Sequence, residues 1–233
     1  MALNINLLKG RSVILLILLI VVVDQALKIY VKTHFFVGEW HPIVGKWARL
    51  YFIENEGMAY GLKFGGDWGK MLLTLFRLVA VIFGVFYLAK IIRQRQHPGF
   101  IACASLIFAG ALGNLIDSMF YGMIFENSSS LFLNVAKALP AHGGYAGFLH
   151  GKVVDMLYFP IIRNATFPQW VPIWGGQDFE FFRPIFNIAD AAISCGVITI
   201  LLFQRKFFPV QKKRPDLNTV ETNAIVNDEM QVS

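Results

Sequence analysis

Residues 13–28 read VILLILLIVVVDQALK, an unbroken aliphatic run followed by an acid and, one helical turn later, by a lysine. A run of this kind enters a bilayer, whose hydrocarbon core takes about 20 apolar residues of α-helix to cross. The whole chain shares this character, since 56% of its 233 residues are hydrophobic and only 15% are charged. That balance is too apolar for an ordinary soluble domain, and it predicts a protein surrounded by lipid.

Four stretches of the chain are long and apolar enough to be membrane-spanning helices. With about 20 residues needed for each crossing, they cover roughly residues 12–34, 71–92, 99–122 and 186–203. Lys9 and Arg11 resemble the start of a cleaved signal peptide, but no small-residue cleavage site follows, so an uncleaved first helix is favoured. We expect an all-α membrane protein with one transmembrane domain over residues 1–208 and a polar, disordered tail over residues 209–233.

The basic residues predict which side of the membrane each loop occupies, because Lys and Arg accumulate in cytoplasmic loops. Dense basic clusters flank the helix ends near residues 9–11, 93–95 and 205–214. The two long loops, residues 35–70 and 123–185, carry only scattered basic residues and are predicted to lie outside. Both termini are then cytoplasmic. These clusters also explain the net charge of +6, so we predict no nucleic-acid partner.

The two outer loops have different patterns. In the first loop, aromatic residues such as Trp40 and Trp47 suit the lipid headgroup layer, and a strand-like run over Arg49–Ile53 ends in turn-prone residues 55–57. We expect a small β-structure on the membrane surface there. The second loop is rich in turn residues, for example at positions 142–144, and is expected to carry a short structured insertion.

Carboxylates inside membrane spans are costly, so each one is a candidate functional residue. Asp24 lies in the first span, and Lys28 follows at i+4 on the same helix face. Such a pair either positions the first helix or takes part directly in chemistry. The sequence leaves both interpretations open.

Two more acids share a polar partner of the same type. Asp117 in the third span and Asp190 in the fourth are each preceded three residues earlier by an asparagine, Asn114 and Asn187 respectively. This spacing puts amide and carboxylate on one helix face, so two helices are predicted to present the same polar pair at the same depth. The alternative is that these groups only hold the helices together by hydrogen bonds.

A fourth acid, Asp155, lies in an apolar stretch of the second loop that is too short to span the membrane. If this stretch dips back toward the outer leaflet, Asp155 reaches the level of Asp190. Two carboxylates that share a site do not both ionise easily, so one keeps a proton. Such a pair can act as general base and general acid on a water, as in aspartic proteases.

Other intramembrane chemistries lack their residues in this sequence. It contains neither His-Glu-x-x-His nor Gly-x-Ser-x-Gly, the motifs of zinc peptidases and of one class of serine hydrolases. The main rival is a small transporter or channel subunit in which Asp24, Asp117 and Asp190 form a proton or cation path. No inverted repeat, a common feature of transporters, is evident.

Five short motifs occur in order along these elements, and together they resemble the motifs of the lipoprotein signal peptidase family, the type II signal peptidases. The motifs are Asp24-Gln25-x-x-Lys28, Glu54-Asn55-x-Gly57-x-Ala59, Gly113-Asn114-Leu115-Ile116-Asp117, Gly151-x-Val153-Val154-Asp155 and Phe186-Asn187-x-Ala189-Asp190. The resemblance implies an intramembrane aspartic endopeptidase of the bacterial inner membrane. Such an enzyme removes the signal peptide from diacylglyceryl-modified prolipoproteins and cuts just before the lipidated cysteine.

The resemblance also implies roles for individual residues. Asp155 and Asp190 occupy the positions of the catalytic pair, near the periplasmic side. The first outer loop corresponds to a periplasmic β-cradle and the second to a mobile periplasmic helix. Neither a metal nor a cofactor is expected, and the implied partners are lipidated prolipoproteins, membrane lipid and cyclic-peptide inhibitors of the globomycin type. The positions that line or support the substrate site are Asn55, Gly57, Asn114, Asn187, Asp24, Lys28 and Asp117.

The chain departs from the family pattern in two respects. The family usually carries an arginine directly after the aspartate of the third motif, whereas this chain has Ser118. Arg77 and Arg163 are the two candidates to supply a guanidinium instead. The segments on either side of Asp155 are also longer than the family pattern implies, so the resemblance does not fix the geometry around the catalytic pair.

Overall fold

The computed structural model describes residues 10–45, 47–56, 66–160, 162–166, 168–170, 172, 175–181 and 184–209. Gly57, a predicted site residue, and nearly all of the predicted polar tail lie outside these ranges. In order along the chain, the helices are α1 (Gly10–His34), α2 (Gly66–Arg93), α3 (Pro98–Ile116), a short α4 (Gly122–Ile124) and α5 (Ile188–Phe207). A π-helical segment, Asp117–Tyr121, joins α3 to α4.

Four helices in the described part of the chain are long and apolar enough to cross a membrane, which confirms the predicted number of spans. They are α1, α2, α5 and the continuous stretch from Pro98 to Ile124. Large apolar side chains such as Leu15, Phe76 and Leu202 stay exposed on the protein surface. Lipid, rather than other protein, covers faces of this kind in a membrane protein.

Helix α3 is the centre of the bundle, since it packs against α1, α2 and α5. In the most apolar 18-residue stretch of the third span, 50% of the residues are buried inside the protein. The corresponding stretch of each of the other three spans is 17% buried. Small residues permit this close approach. A Cβ at Gly113 would lie 2.8 Å from Oδ2 of Asp24, so the absence of a side chain there brings the polar groups of α1 and α3 together.

A small antiparallel sheet lies on one end of the bundle. It has the order β1 (Trp40–Val44), β2 (Ala48–Asn55), β3 (Val153–Tyr158) and β6 (Ile185–Phe186), while β4 (Ile162–Thr166) and β5 (Asp178–Phe181) form a separate pair. Strand β2 contains the predicted strand-like run, and β3 contains the stretch around Asp155. Ile53 pairs with Asp155 and Asn55 pairs with Val153, so pairing between distant strands sets the position of that carboxyl.

Apolar packing attaches this sheet to the helix ends. One cluster of buried residues joins α1, β2, the π-helical segment and β3, and its members include Val31, Phe52, Tyr121, Val154 and Met156. Burial of side chains of this size contributes about 1.5–3 kcal/mol each. The cluster therefore fixes the height at which β3 meets the bundle.

The segment between α4 and β3 runs back along the end of the third span. Two backbone hydrogen bonds attach it to successive turns there: Ala146 N donates to Gly122 O at 2.9 Å, and Gly151 N donates to Ser118 O at 2.9 Å. The resemblance implied a helix in the second loop, but the described residues from 125 to 186 form turns and strands instead. Near the C-terminal end of this loop, the chain forms a strand because β-branched Val153 and Val154 favour that conformation. The edge of β2 supplies the hydrogen-bonding partner for this strand.

The fourth span also begins later than the sequence predicted. Residues 185–186 pair with β3 as a strand, and α5 starts at Ile188. Asn187 is the N-cap: its side chain accepts from Asp190 N at 2.9 Å, and Asp190 Oδ2 accepts from Asn187 N at 3.4 Å. Asn187 and Asp190 are thus reciprocal partners of a capping box, not neighbours on the face of a helix as predicted.

Candidate functional site

The polar side chains of the motifs meet where α1, α3, α5 and β3 converge beneath the sheet. Asp24, Lys28, Asp117, Asp155 and Asn187 are each at most 3% exposed, and Asp190 is partly exposed. A buried charge is tolerated when partners satisfy it, because burial without partners costs several kcal/mol. Each charged member of the cluster therefore needs hydrogen-bond or ion-pair partners.

Lys28 is the central cation of the cluster. Its Nζ lies 2.9 Å from Asp24 Oδ2 and 2.8 Å from Asp117 Oδ2, and it donates to Asn114 Oδ1 at 2.9 Å. An ammonium group has three protons to donate, and these three acceptors use all of them. The contacts favour the positioning interpretation of the Asp24–Lys28 pair over a direct role in proton transfer.

Asp24 connects this cation to the start of α5. Its Oδ1 accepts the backbone N–H of Ala189 at 2.9 Å. The first N–H groups of a helix have no partner inside the helix and carry partial positive charge. Asp24 therefore satisfies one of these groups and fixes the N-terminus of α5, and with it Asp190, against α1.

Asp117 accepts hydrogen bonds from both α1 and β3. Besides Lys28, its carboxyl accepts Gln25 Nε2 at 2.8 Å and the backbone N–H of Val154 at 3.3 Å, and Tyr121 OH donates to Gln25 Oε1 at 3.1 Å. Asp117 begins the π-helical segment, and turns of this type are frequent at functional sites. Through these contacts, Asp117 connects the end of α3 to α1 and to β3.

Sequence reasoning missed the roles of Gln25 and Tyr121 in the hydrogen bonds around Asp117. Gln25 was visible as part of the first motif, directly after Asp24 in an apolar run. A polar residue that a membrane span buries needs a partner, and that signal could have identified it. Tyr121 carries no comparable signal, because a tyrosine near a membrane interface is ordinary.

Amide groups hold the two remaining carboxyls. Asn187 Nδ2 donates to Asp155 Oδ1 at 2.7 Å and to Asn114 Oδ1 at 3.1 Å. Asn114 Nδ2 in turn donates to Asp190 Oδ1 at 2.8 Å. A continuous chain of hydrogen bonds therefore links the carboxyl of β3 to the carboxyl of α5 through two asparagines.

Asn55 approaches the pair from the sheet. Its Nδ2 donates to the second oxygen of Asp155 at 3.3 Å. Of the nine predicted site residues, the structure brings eight into this one network, and the ninth, Gly57, lies outside the described residues. The two oxygens of Asp155 thus have amide donors from both β2 and the N-cap of α5.

The environment makes Asp155 an unusual acid. Burial raises the pKa of its carboxyl, the negative charge of Asp190 raises it further, and the result is a pKa of about 7. The hydrogen bonds from Asn55 and Asn187 and the charge of Lys28 oppose this rise without cancelling it. Near neutral pH, Asp155 therefore holds a proton for a substantial fraction of the time beside a second carboxyl.

Ser118, which stands where the family usually carries an arginine, is hydrogen-bonded to an arginine of another helix. Ser118 Oγ accepts Arg77 Nη1 of α2 at 2.8 Å. The guanidinium of Arg77, one of the two candidates predicted from the sequence, therefore contacts the start of the π-helical segment. The side chain of Arg163, the other candidate, is outside the described part of the structure.

A second buried cation lies beside the sheet, and the sequence analysis did not single it out. Lys32 is fully buried and is paired with Glu54, and it also donates to Ser128 Oγ at 3.1 Å. Lys152 Nζ lies 3.2 Å from the other oxygen of Glu54. These contacts attach the segment after α4 to α1 and to β2, one turn of α1 beyond Lys28.

The described helices enclose a network of acids and amides, and a small sheet covers their ends. These features define a multi-pass membrane protein with a buried polar site. The family model described as signal peptidase (SPase) II matches residues 16–206 of the chain. The chain therefore belongs to the signal peptidase II family, whose members are proteases.

Individual relatives agree with this membership. A protein named lipoprotein signal peptidase from Porphyromonas gingivalis is 48% identical over 195 residues, which cover 83% of both chains. Another of that name from Amoebophilus asiaticus is 36% identical over 200 residues, covering 84% of this chain and 79% of the relative. A bacterial membrane enzyme solved by the in meso method at 2.3 Å resolution shares the fold, with a TM-score of 0.55, 24% identity, and coverage of 88% of this chain and 93% of that one.

Proposed function

We propose that this protein removes the signal peptide from diacylglyceryl-modified prolipoproteins, cutting just before the lipidated cysteine, as an aspartic endopeptidase whose catalytic pair is Asp155 and Asp190. Family membership and the names of the relatives support the reaction class. The observation that carries the catalytic assignment is the chain of amide hydrogen bonds that joins the two carboxyls. The charge of Asp190 contributes to the raised pKa of Asp155, which is the behaviour of two acids in one site.

The proposed reaction begins with Asp190 ionised and Asp155 protonated. Asp190 takes a proton from a water while the water oxygen bonds to the carbonyl carbon of the scissile peptide. Asp155 donates its proton to the carbonyl oxygen, which gives a neutral gem-diol. When the diol collapses, the C–N bond breaks, Asp190 gives its proton to the leaving nitrogen, and one diol hydroxyl returns a proton to Asp155. The products are a free carboxyl terminus and a free amine, and both acids regain their starting states.

The other site residues support this pair. Asn55, Asn114 and Asn187 present amide donors to the carboxyls and to a substrate that occupies the site. Asp24, Lys28 and Asp117 hold α1, α3, α5 and β3 together behind them. Gly57, two residues after Asn55 in the second motif, completes the set by family position.

The proposed setting is the bacterial inner membrane. Both termini lie in the cytoplasm, residues 1–208 form one peptidase domain ahead of a polar tail, and the sheet and catalytic pair face the periplasm. A lipidated substrate then arrives by lateral diffusion in the outer leaflet, and water reaches the partly exposed Asp190 from the same side. Membrane lipid is the surrounding partner, inhibitors of the globomycin type bind at the catalytic pair, and neither a metal nor nucleic acid takes part.

The contacts also bear on the rival transporter hypothesis. A conducting path needs ionisable groups spaced across the depth of the membrane. Asp24, Asp117 and Asp190 instead belong to one network around Lys28 and Asn114. A single compact site favours catalysis over conduction.

The decisive experiment compares two peptides with the purified protein in detergent. One is a prolipoprotein peptide whose cysteine carries diacylglycerol, and the other is the same peptide without lipid. We expect cleavage of the lipidated peptide alone, with the new amino terminus at the lipidated cysteine by mass spectrometry. Cleavage at another bond, or equal cleavage of both peptides, would refute the proposed substrate. Activity of Asp155→Asn equal to that of the parent protein would refute the proposed catalytic type.

A further inference from the structure

A polar cavity lies at the N-terminal end of α2. Its volume is about 700 Å³, and it is bordered by α2, by the segment between α4 and β3, and by the residues just beyond the ends of β2 and β3. Pockets for small molecules are lined mostly by apolar side chains, whereas this one is rich in groups that form hydrogen bonds and ion pairs. The polar side chains that line it are Glu56, Lys70, Asn127, Tyr145, His150 and Lys152.

The paired ends of β2 and β3 connect this cavity to the proposed catalytic pair. Asn55 pairs with Val153, and its Nδ2 donates to Asp155 at 3.3 Å. Glu56 follows Asn55 and Lys152 precedes Val153 in the sequence, and both line the cavity. The cavity therefore begins where the pairing of strands beside Asp155 ends.

Helix α2 indicates how far the cavity lies from the polar network. Thr74 Oγ1 donates to the backbone oxygen of Leu149 at 3.1 Å, and Arg77 donates to Ser118 Oγ, next to Asp117, at 2.8 Å. Lys70 comes seven residues before Arg77, so its backbone lies about 10 Å further along the helix axis at about 1.5 Å per residue. An extended peptide covers about 10 Å in about three residues.

Basic groups outnumber acidic groups around the cavity. Glu54 is paired with the buried Lys32, and Lys152 Nζ lies 3.2 Å from its other oxygen, so one carboxylate serves two ammonium groups. The side chain of Lys152 is 26% exposed, which leaves it accessible from the cavity. Lys70 and Glu56 add one charge of each sign. This described cluster thus has an excess of positive charge, which an acidic ligand would offset.

The neutral groups of the lining offer both donors and acceptors. Tyr145 OH accepts the backbone N–H of Lys152 at 2.6 Å, and none of the described residues accepts the proton of this hydroxyl. His150 Nδ1 bonds to the backbone oxygen of Phe148 at 2.9 Å. Because a carbonyl oxygen only accepts, Nδ1 carries a proton and Nε2 remains for a ligand. A peptide matches such a lining, whereas a phosphate group offers only acceptors and would be repelled by Glu56.

We propose that this cavity is a subsite for the polar segment of the substrate that begins at the lipidated cysteine, and that it favours acidic residues at about the third to fifth positions after the scissile bond. This inference rests on the proposed function and adds a preference for substrate sequence. A signal peptide is apolar in its central part and belongs among the spans, whereas the segment after the cut leaves the membrane. A polar cavity with excess positive charge fits the second segment.

The test compares three lipidated peptides with the purified protein in detergent. They share the signal sequence and the cysteine and differ only at the third to fifth residues after the scissile bond, which are all aspartate, all serine or all lysine. We expect kcat/KM to decrease in that order. The ratio of the aspartate to the lysine peptide should be about fivefold, because partly exposed charge pairs contribute up to about 1 kcal/mol and about 1.4 kcal/mol is tenfold.

Matched variants connect this preference to the cavity. Lys70→Gln should reduce the aspartate-to-lysine ratio, and Lys70→Glu should invert it. Lys90→Gln makes the same neutral substitution at the exposed, opposite end of α2 and should keep the parent ratio. Since each ratio compares two peptides with the same protein sample, a smaller folded fraction does not alter it. If Lys70→Glu cannot be purified, the ratio of Lys70→Gln decides.

Equal kcat/KM for the three peptides with the parent protein overturns the inference, and so does a ratio for the Lys70 variants equal to that of Lys90→Gln. Phosphatidylglycerol is added in a parallel series. If it raises cleavage of all three peptides equally in the parent protein but not in Lys70→Gln, the cavity holds a lipid headgroup and the inference is wrong. Failure to cleave any of the peptides refutes the proposed function and the subsite with it. Cleavage without a charge preference refutes only the subsite.

Discussion

Lys28 and Asn114 are joined by a hydrogen bond of 2.9 Å from Nζ to Oδ1. Because an ammonium group only donates, this bond turns the amide oxygen of Asn114 toward α1 and its Nδ2 toward Asp190, 2.8 Å away. Asn187 donates to the same oxygen at 3.1 Å and to Asp155 at 2.7 Å. The cation of α1 therefore determines how two amides face the two carboxyls, although it touches neither carboxyl.

This relationship predicts that Lys28→Met is among the most destabilising single changes in the protein. It leaves Asp24 and Asp117 buried without their cation, and breaking a buried pair in this way costs about 3–5 kcal/mol. Asp24→Asn should lower stability at least as much as turnover, because it also weakens the contact with α5. Thermal unfolding in detergent measures both effects, with the exposed Lys90→Met as control. A melting temperature for Lys28→Met equal to that of the control would show that the network does not hold the helices.

The proposed catalytic pair predicts strong non-additivity. Asp155→Asn, Asp190→Asn and the double variant should lose turnover on lipidated substrate to a similar extent, because groups that act as a unit are not additive. None of the three should unfold, since asparagine keeps the size of the acid and most of its hydrogen bonds. Losses that multiply in the double variant, or near-normal turnover of Asp155→Asn, would contradict the assignment. Asp117 would then be the next candidate partner for Asp190.

The raised pKa of Asp155 predicts a linked pH dependence of activity and stability. Since the pKa is about 7 in the folded protein, turnover should fall as the pH rises through 7 and Asp155, the proposed general acid, loses its proton. The same shift stabilises the fold fully below the ordinary pKa of aspartate, near 4, and this stabilisation is lost as the pH rises through 7. Each pKa unit corresponds to about 1.4 kcal/mol.

Asp155→Asn is the matched test of that linkage. The variant should be inactive, yet at about pH 8 it should be more stable than the parent by a few kcal/mol, because it no longer buries a charge. At about pH 4 the two proteins should unfold at similar temperatures. Parallel stability curves for the two proteins from pH 4 to pH 8 would show that Asp155 does not titrate in this window.

Close approach at Gly151 predicts that even a methyl group is excluded there. A Cβ at this position would lie 2.0 Å from the backbone oxygen of Asp117, so Gly151→Ala must displace the start of β3 from the π-helical segment. Turnover should fall at least tenfold, together with thermal stability, since overpacking typically costs about 1–3 kcal/mol. Gly147→Ala is the control, because nothing lies within 4 Å of its Cβ position. Equal behaviour of the two variants would contradict this explanation for the glycine of the fourth motif.

The predicted orientation is tested with reporter fusions. Fusions in the short connection near Gln94 and in the tail near Lys212 should report the cytoplasm, because both positions lie in basic clusters. A fusion near residue 142, in the loop between α4 and β3, should report the periplasm. A periplasmic signal from either of the first two sites would contradict the proposed topology and would place the catalytic pair on the wrong side for an outer-leaflet substrate.

The sequence by itself determined the spans and named the acids. A transmembrane helix satisfies its own backbone and needs only sufficient apolar length, so α1 and α2 were readable from local composition. The strand-like run in β2 was readable from its residues and the turn after it. The carboxyls were conspicuous because a charge in an apolar run is costly. These signals depend on residues within one or two turns of one another.

Tertiary structure alone decided which partners those acids have. The bond from Ala189 N to Asp24 joins residues 165 positions apart, and the bond from Arg77 to Ser118 joins residues 41 apart. Asn187 was expected on a helix face but caps the helix, because pairing of Phe186 with Leu157 in β3 holds the preceding residues extended. A local pattern specifies an element and its exposed face, whereas partners between elements depend on how those elements pack. For this reason the motifs identified the site, and only the packing of α1, α3, α5 and β3 assigned each carboxyl its neighbours.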